Sequence, residues 1–143
     1  KNIVKFPALI KSIKRNKHVV GNHSFSHKNG WLTKHDTYIE DVNRCQKLMK
    51  GNTLFRPPYG KLSFRQQKSI NKKYKIILWD ILSMDFKDNI HKEKIIHNVL
   101  GNIEPGSIIV FHNNLKSLPN LKLTLKEIIL ELKEKGFIFS TTW

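Results

Sequence analysis

The chain has 143 residues, 39% hydrophobic and 10% aromatic, which is enough for one compact domain with a real core and unlike a disordered chain. Its formal net charge of +15 rests on 26 basic residues of which only four are arginine (Arg15, Arg44, Arg56, Arg65). The arginine forks that read bases are therefore scarce, and the charge reads as a solvated surface that would attract an anionic polymer such as a cell-wall glycan, with no specific nucleic acid as partner.

No apolar run approaches the roughly 20 residues of a membrane span, and a single cysteine, Cys45, excludes an internal disulfide. The chain opens on Lys1 without a charged-then-apolar leader, which leaves its compartment open. Leu9, Ile10 and Ile13, between Pro7 and the basic run Lys14-Arg15-Asn16-Lys17, predict a short helix. His18 to Asn22 then reads as a strand. Tyr38, Val42, Cys45 and Met49 recur at helical spacing, so a helix is predicted from Lys34 to Met49, with Gly51 to stop it and Cys45 as buried filler on its apolar face.

Thr53 to Phe55 reads as a short strand that Pro57 and Pro58 forbid to continue, and a helix from Phe64 to Lys72 follows. Lys75 to Asp80 (KIILWD) is an almost unbroken apolar run, the pattern of a strand buried on both faces. Helical spacing returns at Ile95, Val99 and Leu100, Pro105-Gly106 makes a turn, and Ser107 to His112 is a second buried strand. Leu121, Leu125, Ile128 and Leu132 form one face of a helix that stops at Gly136, and Phe137 to Thr141 supplies a last strand. Alternation of this kind predicts an α/β fold, a parallel sheet or barrel with helices outside.

The stretch Gly21 to His27 (GNHSFSH) places two imidazoles four residues apart. On a strand they would lie roughly 13 Å apart at ~3.3 Å per residue, too far to share an ion through bonds of ~2.1 Å. A metal reading thus requires a strand ending near Asn22 and a helical turn from His23 to His27; a solvated loop is the other reading, and the pair alone leaves both open. His23, Arg56, Asp80 or Asp85, and His112 all fall at or just beyond the carboxyl ends of predicted strands, the rim where ligands bind in parallel α/β folds. Asp80 also reads as a strand-end cap, Trp79 as core or pocket wall, and Trp31 as a packed side chain or one on a ligand-contacting loop. His18, His35, His91 and His97 read as surface or packing residues.

In this order the sequence resembles the polysaccharide deacetylases with a NodB-like domain, carbohydrate esterase family four, from about residue 6 to the end. GNHSFSH resembles the family's second motif, which implies His23 and His27 as ligands of a divalent metal, most often zinc. FRPPYG (residues 55–60) is similar to the third, implying Arg56 in the site, Pro58 in the substrate pocket and the Tyr59 N–H aimed at a developing oxyanion. LWDILSMDF (residues 78–86) is similar to the fourth, with Asp85 the best match for the aspartate that orients the catalytic histidine and Trp79 in the pocket. IIVFHN (residues 108–113) resembles the fifth, implying His112 as general acid and Val110 beside the acetyl methyl.

The resemblance implies an incomplete, distorted (β/α) barrel. It also implies a metal-dependent hydrolase that removes N-acetyl or O-acetyl groups from an acetylated glycan such as peptidoglycan or chitin-like oligomers. A non-catalytic glycan-binding relative is the alternative. The family's first motif, T-F-D-D-G, which supplies a third ligand and the general base, has no counterpart before residue 6. Residues 1–143 are therefore expected to be a single domain lacking its first strand and first motif, and inactive alone. Phe86 stands where tryptophan is common and Leu82 where an acidic residue is frequent. A monomeric bacterial protein, secreted or at the cell envelope, is expected by the same likeness, with the cytoplasm not excluded.

Overall fold

The computed structural model describes residues 2–141. They divide by internal contacts into two compact units, Lys1–Leu78 and Trp79–Trp143.

In the first unit a short helix α1 (Asn2–Lys5) is followed by α2 (Pro7–Arg15), which starts at its proline and buries none of its residues. The strand expected over His18 to Asn22 contracts to a single parallel bridge: Asn22 N–H donates to Leu54 O (2.9 Å) and Arg56 N–H to Asn22 O (2.9 Å). Val19, 49% exposed, has no ladder to join. Helix α3 (His35–Gln46) follows, then β1 (Leu54–Phe55), a 3-10 turn over Pro58–Gly60, α4 (Phe64–Asn71) and β2 (Lys75–Ile76), which pairs with β1 in parallel. Helix α3 stops at Gln46, short of the expected Met49, with Lys47 as its C-cap, so Gly51, at φ 77°, lies in the turn beyond and does not end the helix.

Helix α4 is fixed at its start by a capping box, with Ser63 Oγ accepting from Gln66 N–H and Gln66 Oε1 accepting from Ser63 N–H. The core of this unit is Tyr38, Val42, Phe55, Ile70 and Tyr74, in which α3 and α4 close over β1. Cys45 is buried on the apolar stripe of α3, beside Met49, which lies past the end of the helix.

The second unit holds β3 (Ile81–Leu82), α5 (Lys92–Leu100), β4 (Ile109–Val110) and α6 (Leu118–Glu134), with β3 and β4 parallel. Its core joins Ile81, Ile95, Val99, Ile128 and Leu132. Gly136 (φ 85°) ends α6 as the spacing predicts. Of the long strand expected over Lys75 to Asp80 only β2, Lys75–Ile76, forms, and β3 starts just after the expected run, at Ile81. Between them side chains take the backbone groups a ladder would need: the Arg56 guanidinium donates to Ile77 O (3.1 Å) and Leu78 O (3.2 Å), and Asp80 Oδ1 accepts from Ile108 N–H (2.8 Å). The strand expected over Ser107 to His112 is likewise reduced to two residues. The last expected strand, Phe137 to Thr141, is irregular: Ile138 is 93% exposed, and no strand pairs with the segment among the described residues.

Candidate functional site

Asn22, fully buried, begins the loop that carries the two histidines. Its side chain donates to Val42 O (3.1 Å) and Gln46 Oε1 (3.3 Å) on α3, and its Oδ1 accepts from Ser24 N–H (2.9 Å), starting a tight Asx turn. The helical turn required over His23 to His27 does not form. In its place Ser24 (φ 62°) and His27 (φ 58°) adopt left-handed backbone, and His27 N–H bonds back to Ser24 Oγ (3.0 Å). This conformation is held by the buried carboxylate of Asp41, which accepts from Phe25 N–H (3.0 Å), Ser26 N–H (2.9 Å) and Ser26 Oγ–H. Burial works to raise the Asp41 pKa, but the bonds from Ser26, Ser24 and Phe25 outweigh it and hold the group below its ordinary value.

The turn brings the rings of His23 and His27 to 4.9 Å between centroids, edge to face at 77°. His23 Nδ1 lies 2.6 Å from Arg56 O. A carbonyl only accepts, so Nδ1 carries the proton and Nε2 the lone pair, the tautomer suited to binding a metal. Two neighbouring imidazoles are of the donor type that a divalent ion takes. Among the described residues no further His, Cys, Asp or Glu joins them in a group of three that could hold a metal.

His27 also meets the Tyr59 ring, 4.9 Å away. Tyr59 follows two buried prolines and has φ 58° and ψ 9°, a strained conformation that Pro57-Pro58 impose from one side and the bonds of Gly60 N–H and Lys61 N–H to Pro57 O and Pro58 O from the other. Arg56, half-buried, braces the carbonyls of Ile77 and Leu78. Burial lowers its pKa from the ordinary arginine value.

In the second unit, Asp85 is fully buried and closes on His112 twice: Oδ1 accepts from Nδ1 (2.7 Å) and Oδ2 from the His112 N–H (2.8 Å). Ser83 Oγ donates to Oδ1 (3.0 Å), Asn120 Nδ2 donates to Asp85 O (2.7 Å), and Asn98 Nδ2 to Ser83 O (3.1 Å). The imidazole, one-third exposed, has Phe86 against its side at 4.8 Å, so Nε2 is the nitrogen left to carry a transferable proton. Val110 is buried, whereas Trp79 is partly exposed. Asp80 is committed to Ile108 N–H, which with Ser107 holds its pKa down, and so acts as the strand-end cap.

Asp41, Ser83, Asn98 and Asn120 were not singled out from the sequence. Asp41 had a signal: it lies on the stripe of Tyr38, Val42 and Cys45, and a carboxylate on the buried face of an amphipathic helix needs partners. The others had none, because Ser and Asn near strand ends are common turn residues.

Residues 1–76 match the family described as Polysaccharide deacetylase. Over 151 aligned residues the chain is 33% identical to a peptidoglycan-N-acetylglucosamine deacetylase of Bacillus cereus, covering 98% of this chain and 53% of the relative. It is 30% identical to the peptidoglycan-N-acetylmuramic acid deacetylase PdaA of Bacillus subtilis, covering 94% and 54%. The crystal structure of the Bc1960 peptidoglycan N-acetylglucosamine deacetylase in complex with a naphthyl N-hydroxybenzamide superposes with a TM-score of 0.89 at 32% identity, covering 97% of this chain and 68% of that one. The chain belongs to the polysaccharide deacetylase family, with the α/β fold of the NodB-like deacetylases in two parallel strand pairs and no closed barrel among the described residues. It spans about half the length of the curated relatives it matches.

Proposed function

We propose that this protein is a carbohydrate deacetylase that hydrolyses the N-acetyl, or O-acetyl, groups of an acetylated hexosamine polymer, with peptidoglycan or chitin-like oligomers as substrate. N-deacetylation would place it among hydrolases of carbon-nitrogen bonds other than peptide bonds. The observation that carries the reading is the buried Asp85 carboxylate gripping both the N–H and Nδ1 of His112. Such a grip fixes the tautomer and the ring orientation and leaves Nε2 as the nitrogen that would give a proton to the departing amine, the general-acid role.

His23 and His27 would hold a divalent cation, for which imidazole donors are suited, with zinc the ion that the family likeness favours. When bound, such an ion supplies Lewis-acid polarisation of the acetyl carbonyl and of water. The chain's own residues then have separate tasks. Arg56 O orients His23, and Asp41 holds the turn that keeps His27 beside it. The Tyr59 N–H, on a segment stiffened by Pro57 and Pro58, offers a donor to the oxyanion that forms as the carbonyl is attacked. Val110 supplies a small apolar surface for the acetyl methyl. Work on a wall polymer would fit a protein at the envelope or outside the cell.

The test is release of acetate from N-acetylglucosamine oligomers and from peptidoglycan by the protein carrying this sequence. The reading expects release that a chelator stops, that added zinc restores, and that His23→Ala loses. Acetate release unaffected by both the chelator and His23→Ala contradicts the metal assignment, and no release from either glycan contradicts the activity.

A further inference from the structure

We infer that Trp31 and Lys61 form a recognition lip for an acidic glycan, the indole taking a pyranose ring and the Lys61 ammonium a carboxylate carried by the sugar. The inference rests on the glycan reading proposed above and narrows it.

Two stretches of chain leave the His27–Tyr59 ring contact together, His27 to Trp31 and Tyr59 to Leu62, and are locked to one another at their far ends. Trp31 Nε1–H donates to Leu62 O (3.1 Å). At Gly30 the backbones touch: a Cβ there would lie 2.2 Å from Lys61 O and 2.8 Å from Gln66 Oε1. Gln66, 1% exposed, donates to Gly30 O (2.9 Å) and Thr33 O (3.0 Å), so the loop is clamped on both sides of Trp31.

Despite that clamp the Trp31 side chain is 65% exposed. Its N–H edge is committed to Leu62 and one face lies under Lys61 Nζ, 4.7 Å from the ring centroid, so the exposure belongs to the opposite face and outer edge. A large aromatic ring held in one orientation and left uncovered loses little entropy when a flat ligand stacks on it. The C–H face of a pyranose is such a ligand.

Lys61 adds a charge preference. Among the described residues its ammonium has no carboxylate partner. A sugar stacked on this indole with a carboxylate substituent at its rim would complete the pair. Muramic acid, whose lactyl ether bears a carboxylate, has that chemistry, and neutral N-acetylglucosamine polymers do not. The lip flanks the histidine pair, since His27 is four residues before Trp31 and Tyr59 two before Lys61.

Calorimetric binding of two tetrasaccharides tests this, one of N-acetylglucosamine alone and one alternating N-acetylglucosamine with N-acetylmuramic acid. Trp31→Ala is expected to weaken both by about tenfold, with Trp31→Phe recovering most of the loss. Lys61→Met is expected to weaken only the acidic glycan, by about threefold at low salt, and to reduce the salt dependence of its binding. Wild-type affinity in Trp31→Ala, or equal effects of Lys61→Met on the two sugars, overturns the lip while the glycan reading stands. Failure of the wild-type protein to bind either sugar overturns both.

Discussion

Asp41 is the residue on which the geometry of the histidine pair depends most. A turn with two left-handed non-glycine residues is costly by itself, and three bonds to one buried carboxylate hold it in place. Asp41→Asn keeps the size but loses charge and acceptors, and is expected to cost about 1–3 kcal/mol, read by denaturant unfolding. Because the folded Asp41 pKa is depressed, its stabilising contribution is present above the ordinary carboxylate value and is lost as pH falls through the lower folded one. The melting temperature of the wild type should therefore fall more steeply below pH 4 than that of Asp41→Asn; parallel curves would deny Asp41 this role.

Tyr38 presents the opposite case. It is fully buried, its hydroxyl has no hydrogen-bond partner among the described residues, and burial raises its pKa beyond the ordinary phenol value. Tyr38→Phe removes an unsatisfied polar atom and is expected to leave stability unchanged or raise it by about 1 kcal/mol; a loss above that would reveal a partner. At this scale the sequence exposed the candidate site residues through type and spacing. Their supports stayed hidden because a hydrogen bond from Asn120 to Asp85, 35 positions away, leaves no periodic trace.

Among the elements, helices were more legible than strands, for a physical reason. A helix satisfies its backbone within its own segment, so the apolar spacing of Tyr38, Val42 and Cys45 or of Leu121, Leu125, Ile128 and Leu132 locates it. A strand exists only as far as a neighbour pairs with it. The apolar run from Lys75 to Asp80 reads as one strand, yet only Lys75 and Ile76 stay in a ladder, and Arg56 and Asp80 take backbone bonds between there and β3. The turn at His23 was expected to be helical because only helical spacing brings i and i+4 together in regular structure; an Asx turn with positive φ does it irregularly. For α4, whose capping box engages both Ser63 and Gln66, Ser63→Ala is expected to cost about 1 kcal/mol in thermal unfolding. Gly30→Ala must push Lys61 O away and should alter the near-ultraviolet dichroism of Trp31; an unchanged spectrum would mean the clamp yields without moving the ring.

For the molecule as a whole, each unit has its own core, and Phe55 and Ile95 are among their fully buried members. Truncating either to alanine is expected to cost about 2–5 kcal/mol. The α/β class was legible from the alternation of elements, and the family from four motifs in order; the short ladders were not, since they depend on partners far along the chain. What joins fold to chemistry is the proposed general acid, His112 on its buried carboxylate. The most direct measurement is the rate of acetate release from peptidoglycan by the protein carrying this sequence, wild type beside a folded His112→Ala variant. A fall of about 10²–10⁴-fold in kcat is predicted, and a variant that releases acetate at the wild-type rate contradicts the account.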